Sequence, residues 1–206
     1  MKTILCYGDS NTWGFNPETR ERYPSDMRWT GVLRAELGQG YTVVEEGLNG
    51  RTTVWDDPIE GHMSGARYLL PCLQTHKPID LVILMLGTND LKCRFHVSAF
   101  DIAESVSHLA DIVRVSGTGP SASAPKVLIA CPAPITETGP FAEMFRGGAE
   151  TSRMLHAEFE RMGRERSLPV FFVDEVAASS PTDGIHLSQA AHAAIGGAIA
   201  REVRSI

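Results

Sequence analysis

The feature that most constrains this chain is an alternation. Short apolar runs rich in β-branched residues recur along its length, and stretches with helical spacing lie between them. Thr3 to Tyr7, Val82 to Leu86 (behind Ile79-Asp80-Leu81), Val127 to Cys131 and Val170 to Val173 lack the polar alternation of a half-exposed strand, so they read as strands covered on both faces. Tyr41 to Val44 is a fifth and weaker run, ending before Glu45-Glu46-Gly47. Arg28 to Leu37 sets Trp29, Val32, Leu33 and Leu37 at helical spacing and stops at Gly38, and Phe100 to Val115 repeats the pattern with Phe100, Ala103, Val106, Leu109, Ala110 and Val113. Gly148 to Arg166 and Ser188 to Val203 complete the helices. Strand followed by helix throughout is the pattern of βαβ units, which predicts one three-layer α/β/α domain over residues 1–206 with a parallel sheet. The Ser116 to Pro125 stretch reads as a loop. Its formal G-x-G-x-x-A follows a helix rather than a strand, which removes the dinucleotide-binding reading.

Composition excludes several function classes. The chain has 206 residues, 43% hydrophobic and 21% charged. A domain of this size buries roughly 70% of its unfolded surface, so its core needs no disulfide or metal staple. With 19 Lys+Arg against 25 Asp+Glu, a formal charge of −6 and no basic run, it lacks the footprint of a nucleic-acid or anionic-membrane binder. No segment approaches the ~18 consecutive apolar residues of a membrane span. The apolar stretch after Met1-Lys2 is too short for a signal-peptide core, so a cytoplasmic protein is expected. Cys6, Cys72, Cys93 and Cys131 form no C-x-x-C pair and read as free thiols in a reducing compartment. His62, His76, His96, His108, His156 and His192 read as surface or structural residues, and no metal-binding spacing occurs; neither metal nor cofactor is expected.

Ligands of open parallel sheets bind beyond the carboxyl ends of the strands, and here those ends are polar and glycine-rich. The first run leads into Gly8-Asp9-Ser10-Asn11-Thr12, the second into Gly47-Leu48-Asn49-Gly50-Arg51-Thr52-Thr53, and the third into Gly87-Thr88-Asn89-Asp90. Asp183-Gly184-Ile185-His186-Leu187-Ser188 precedes the last helix. Acyl transfer through a nucleophile needs a hydroxyl, a base, a group orienting the base, and donors for the oxyanion. Ser10 supplies the hydroxyl, His186 the base and Asp183 the orienter, three residues apart on one short turn. The backbone N–H groups of Ser10 and Gly50 and the side-chain amide of Asn89 are the candidate donors.

Each residue has a plainer reading by itself. A serine after a strand is most often a turn or cap residue, and Asp183 alone could be a turn former. Asp9 reads as fixing the Ser10 turn, Asp90 as a cap without a catalytic role, and Ser188 as the N-cap of the last helix. Arg51 reads equally as a substrate contact or as a salt bridge that holds its turn. Phe141, Met144 and Phe145, with Trp13 and Ile185, read either as a pocket wall or as an oligomer contact.

Taken in order, Gly8-Asp9-Ser10, Gly50, Gly87-Thr88-Asn89-Asp90 and Asp183-Gly184-Ile185-His186 resemble the four sequence blocks of the SGNH, or GDSL-type, hydrolases. Arg28-Trp29-Thr30-Gly31-Val32-Leu33, Glu45-Glu46-Gly47-Leu48 and Arg51-Thr52-Thr53 resemble its intracellular bacterial arylesterase and acyltransferase branch. The resemblance implies a flavodoxin-like sheet of five parallel strands, a Ser10–His186–Asp183 triad and an oxyanion hole of Ser10, Gly50 and Asn89. It also implies a homo-oligomer as one option, since relatives in that branch often assemble. Asn11 stands where the family's usual block has leucine, so a more polar pocket beside the nucleophile is expected, one suited to hydrated or sugar-like alcohols. The expected activity is hydrolysis of small short-chain acyl esters of aryl, alkyl or sugar alcohols. The alternatives are acyl transfer or perhydrolysis by the same triad, a thioesterase or lipase, and, in a different class, a non-catalytic protein binding an acyl or glycan ligand.

Overall fold

The first strand is an interior strand of the sheet. In a computed structural model describing residues 1–206, β1 (Lys2–Gly8) lies between β2 (Tyr41–Gly47) and β3 (Leu81–Met85), with β4 (Lys126–Cys131) and β5 (Val170–Phe172) beyond. The order is β2-β1-β3-β4-β5 and every pairing is parallel. After β2 the path reverses past β1 to β3, which opens a crevice above the carboxyl ends of β1 and β3.

The helices are α1 (Ser10–Trp13), α2 (Trp29–Leu37), α3 (Gly65–His76), α4 (Ala99–Val115), α5 (Gly148–Arg166) and α6 (Gln189–Ser205). Because side chains alternate along a strand, β1 splits its residues between two cores. Leu5 and Tyr7 join Val82, Leu84 and Ile129 under α3, α4 and α5. Ile4 and Cys6 join Ile83, Leu128 and Ala130 under α2 and α6, where Trp29, Leu33, Ile195 and Ile199 are fully buried. A Cβ at Gly196 would stand 2.6 Å from the Trp29 carbonyl oxygen, so glycine lets α6 lie directly on α2. The expected three-layer α/β/α arrangement and five-stranded parallel sheet are present. Ser98 and Asp101 form a capping box on α4, and the Ser188 hydroxyl accepts the Ala191 N–H at 3.2 Å as the expected N-cap of α6.

Two elements differ from the expected pattern. β2 continues through Glu45 and Glu46 rather than ending at Val44. It is an edge strand, and partners are at hand: Glu45 meets Arg28 at 2.5 Å, Arg34 at 2.8 Å and Arg22 at 3.6 Å, and Glu46 meets His76 at 2.7 Å. The helix α3 is not expected from the sequence pattern. Pro71 sits inside it, and only Leu69, Cys72 and Leu73 after the opening Gly65 are buried, a face too narrow to declare itself.

Candidate active site

Ser10 is placed by the way β1 ends. Asp9 is extended, and its carboxylate accepts the Asn11 N–H at 2.9 Å, turning the chain directly into α1 with Ser10 as its first residue. Backbone N–H groups at a helix start have no intrahelical acceptor, so the Ser10 amide is left for the crevice.

The Asp183–His186 turn holds itself. Asp183 Oδ1 accepts the Ile185 and His186 N–H groups, both at 2.9 Å, and Oδ2 accepts His186 Nδ1–H at 2.6 Å. Gly184, at φ 75°, fits the turn against the segment after β4, where its carbonyl accepts the Thr136 N–H at 2.9 Å. Burial alone would raise the Asp183 carboxyl; the His186 ring, the His186 N–H and the Ile185 N–H outweigh it and hold the group below the usual carboxylate range. With Nδ1–H committed to Asp183, His186 Nε2 presents its lone pair to Ser10 Oγ at 3.0 Å. The Phe15 ring lies 4.1 Å from the imidazole and Phe141 meets it edge-on at 5.6 Å, which fixes the ring plane and excludes solvent. Ser10 and His186 are each 6% exposed and Asp183 2%.

Three donors face the same crevice. Gly50, at φ 83°, has an N–H that bonds to nothing in the chain. Asn89, in a 3-10 turn after β3, donates one amide hydrogen to the Arg51 carbonyl at 3.1 Å and keeps the other. Behind them, Arg51 donates to the carbonyls of Gly8 (2.8 Å) and Glu46 and lies 4.1 Å over the Tyr7 ring. Arg51 therefore holds its turn through carbonyls and a ring face rather than through a salt bridge. Asp90 is a crosslink rather than a helix cap: it accepts the Thr53 N–H at 3.1 Å and the Thr53 hydroxyl, tying the Gly50 turn to the Asn89 turn. Desolvation pushes the buried Asp9 and Asp90 carboxyls up to about 6.

The crevice is a cleft of about 220 Å³. Its lining contains Ser10, Gly50, Asn89 and His186, the expected Phe141, Met144, Phe145 and Ile185, and four residues sequence reasoning missed: Phe15, Asn49, Glu60 and Lys92. Lys92 lies one 3-10 turn past Asn89, a spacing that could have pointed to it, whereas Glu60 lies in a loop without pattern. Two expected pocket residues are elsewhere. Asn11 points away from the cleft to the histidine turn, where its Oδ1 accepts the Leu187 N–H at 3.1 Å and its Nδ2 donates to the Ile185 carbonyl at 3.4 Å. Trp13 packs under the Arg22 guanidinium at 5.0 Å, and its carbonyl accepts Arg22 Nε–H at 2.7 Å.

Of the other histidines, His192 is buried and its Nδ1 accepts the Trp29 N–H at 3.2 Å, while His156 meets Asp174 at 2.9 Å. Glu46, Cys72 and His76 bring one carboxylate, one thiol and one imidazole within 4.8 Å of one another, a grouping across β2 and α3 that linear spacing hides. They could hold a divalent metal only once the thiol, pushed up to about 12 mainly by burial, had lost its proton.

The GDSL-like lipase/acylhydrolase family model matches residues 6–194. Among solved structures, a carbohydrate acetylesterase from Sinorhizobium meliloti is 39% identical with a TM-score of 0.95, covering 100% of this chain and 99% of its own. The M. smegmatis aryl esterase is 42% identical with a TM-score of 0.95 over the same shares. A carbohydrate acetylesterase family member from Sinorhizobium meliloti is 40% identical with a TM-score of 0.94, covering 100% and 98%. No curated protein matches the chain.

Proposed function

The chain belongs to the GDSL-like lipase/acylhydrolase family and is a carboxylic ester hydrolase, and from that premise we propose that it cleaves small short-chain esters through an acyl-enzyme on Ser10. The observation that carries this is the buried hydrogen-bond chain from Ser10 Oγ through His186 to Asp183, facing the unbonded Gly50 N–H. His186 Nε2 takes the Ser10 proton as Oγ attacks the ester carbonyl; Asp183 stabilises the imidazolium. The Ser10 and Gly50 amides and the spare Asn89 hydrogen receive the oxyanion. His186 then gives its proton to the departing alkoxide, which leaves as the alcohol. In the second half it deprotonates a water that attacks the acyl-enzyme, and collapse of that intermediate returns the proton to Ser10.

The cleft volume supports acetyl-sized to butyryl-sized acyl groups. Acyl transfer to an alcohol is a second reading, favoured by Phe15 and Phe141, which cover His186 where water would enter for deacylation. Four free cysteines, three of them buried, support a cytoplasmic setting. No helix is long and apolar enough to cross a membrane. Exposed Leu48, Trp55 and Ile59, on the segment that also carries Asn49 and Glu60, support a homo-oligomer.

The test is p-nitrophenyl acetate hydrolysis by the protein and by Ser10→Ala, with and without an added alcohol. Turnover lost in the variant, with ester product formed from the alcohol, supports both readings. Turnover retained by Ser10→Ala refutes the acyl-enzyme.

A further inference from the structure

One wall of the cleft carries charge that the mechanism above does not use. Glu60 lies in a turn closed by hydrogen bonds between Asp57 and Gly61, with the Asp57 carboxylate accepting the Ile59 and Glu60 N–H groups at 2.9 and 3.1 Å. Its Oε1 is held by Lys92 Nζ at 2.8 Å and by Arg94 at 2.7 Å. Asp57 meets the same two cations, at 3.4 and 3.1 Å. The Lys92 side chain is 2% exposed, so this is an anchored quartet of two cations and two anions rather than a mobile surface pair.

Only one oxygen of Glu60 is used by the anchor. Oε2 accepts no hydrogen bond from the chain and stands 2.5 Å from where a Cβ on Gly50 would lie. The absent side chain at position 50 thus makes room for a carboxylate oxygen beside the proposed oxyanion donor. An ionised carboxylate only accepts hydrogen bonds, and the quartet fixes it in place before any ligand arrives. Lys92, though it lines the cleft, is engaged by both carboxylates.

We propose that Glu60 Oε2 is a recognition site for a free hydroxyl of the substrate, selecting uncharged hydroxylated esters and rejecting esters that carry a carboxylate. This rests on the ester-hydrolase reading of the same cleft. A hydroxyl near the reacting carbonyl donates a charge-assisted hydrogen bond to Oε2, whereas an anionic group placed against Oε2 meets a like charge. The polar selectivity that the sequence ascribed to Asn11 is thereby assigned to Glu60.

The experiment compares kcat/KM within matched pairs by pH-stat titration: glycerol 1-acetate against propyl acetate, p-nitrophenyl lactate against p-nitrophenyl propionate, and p-nitrophenyl hydrogen succinate against p-nitrophenyl butyrate. Ratios within a pair cancel any general change in activity. The protein is expected to prefer at least one hydroxylated member about tenfold and to disfavour the succinate about tenfold, the scale of one charge-assisted contact. Glu60→Gln, whose carbonyl can keep the Lys92 and Arg94 bonds while its NH₂ replaces Oε2, should bring these ratios within about threefold of unity. Hydrolysis of all six esters with ratios unchanged by Glu60→Gln overturns the assignment of Glu60 alone. No turnover of any ester overturns both it and the hydrolase reading. If the variant does not fold, the protein's own ratios decide: less than a twofold preference in both hydroxylated pairs refutes the site.

Discussion

Replacing Asn11 by leucine separates a pocket role from a positioning role. Asn11 is buried and connects α1, which carries Ser10, to the turn that carries His186. Leucine removes an acceptor from the Leu187 N–H, bonded at 3.1 Å, and a donor from the Ile185 carbonyl, at the weaker 3.4 Å. A buried backbone group left without a partner costs about 1–3 kcal/mol, and the longer contact adds little, so the total should be about 2 kcal/mol. For a chain of this length that lowers Tm by about 4–8 °C. The same loss frees the His186 backbone on its carboxyl side, and a displacement of about 1 Å at a reacting group costs on the order of a hundredfold in rate. Thermal unfolding and p-nitrophenyl ester kinetics from acetate to hexanoate should therefore show a lower Tm and a lower kcat, with the order of acyl preference unchanged. An altered chain-length or alcohol preference at unchanged Tm would refute the reasoning, because it would place the side chain against substrate.

Asn89→Ala should lower kcat by about 10²–10³ with little change in KM, since the lost hydrogen serves charge that develops only in the transition state; a pure KM effect would contradict this. Gly50→Ala forces a Cβ 2.5 Å from Glu60 Oε2 at a backbone φ of 83° and should reduce ester turnover by at least tenfold, measurable with p-nitrophenyl acetate. Met144→Ala should enlarge the cleft and move the preferred acyl chain one or two carbons longer, read from the same ester series. Burial, then the charges of Arg28 and His186, lowers His192 to about 4 in the folded chain, against 6.5 for the free residue. Between those values the unfolded chain binds the extra proton, so this residue's contribution is complete above pH 6.5 and falls by about 3 kcal/mol as pH drops to 4. Urea unfolding at pH 7 and 4.5 should show a smaller pH-dependent loss for His192→Gln than for the unaltered chain.

The parts of this molecule legible in the sequence are those where one physical demand dominates. Strands buried on both faces must be apolar, so β1, β3 and β4 declared themselves, and polar glycine-rich turns after such strands stood out because nothing in a core would favour them. Glu45 and Glu46 concealed the end of β2, because the arginines and histidine that accommodate them come from other segments. Asn11 and Trp13 misled for a related reason. Adjacency to Ser10 in sequence says nothing about direction, and a single turn of helix points successive side chains to different sides. Phe15 and Glu60 reach the cleft through tertiary placement of loops and leave no periodic trace.

The two halves of the proposed triad lie 176 residues apart, yet each half is built from local bonds. A chain synthesised as far as β4 holds both strands that β1 pairs with and the residues of the Ser10 turn, but not the proposed base. On the proposed mechanism the nascent protein stays chemically silent until the segment carrying Asp183 and His186 docks, and the onset of ester cleavage on the ribosome would time that docking directly.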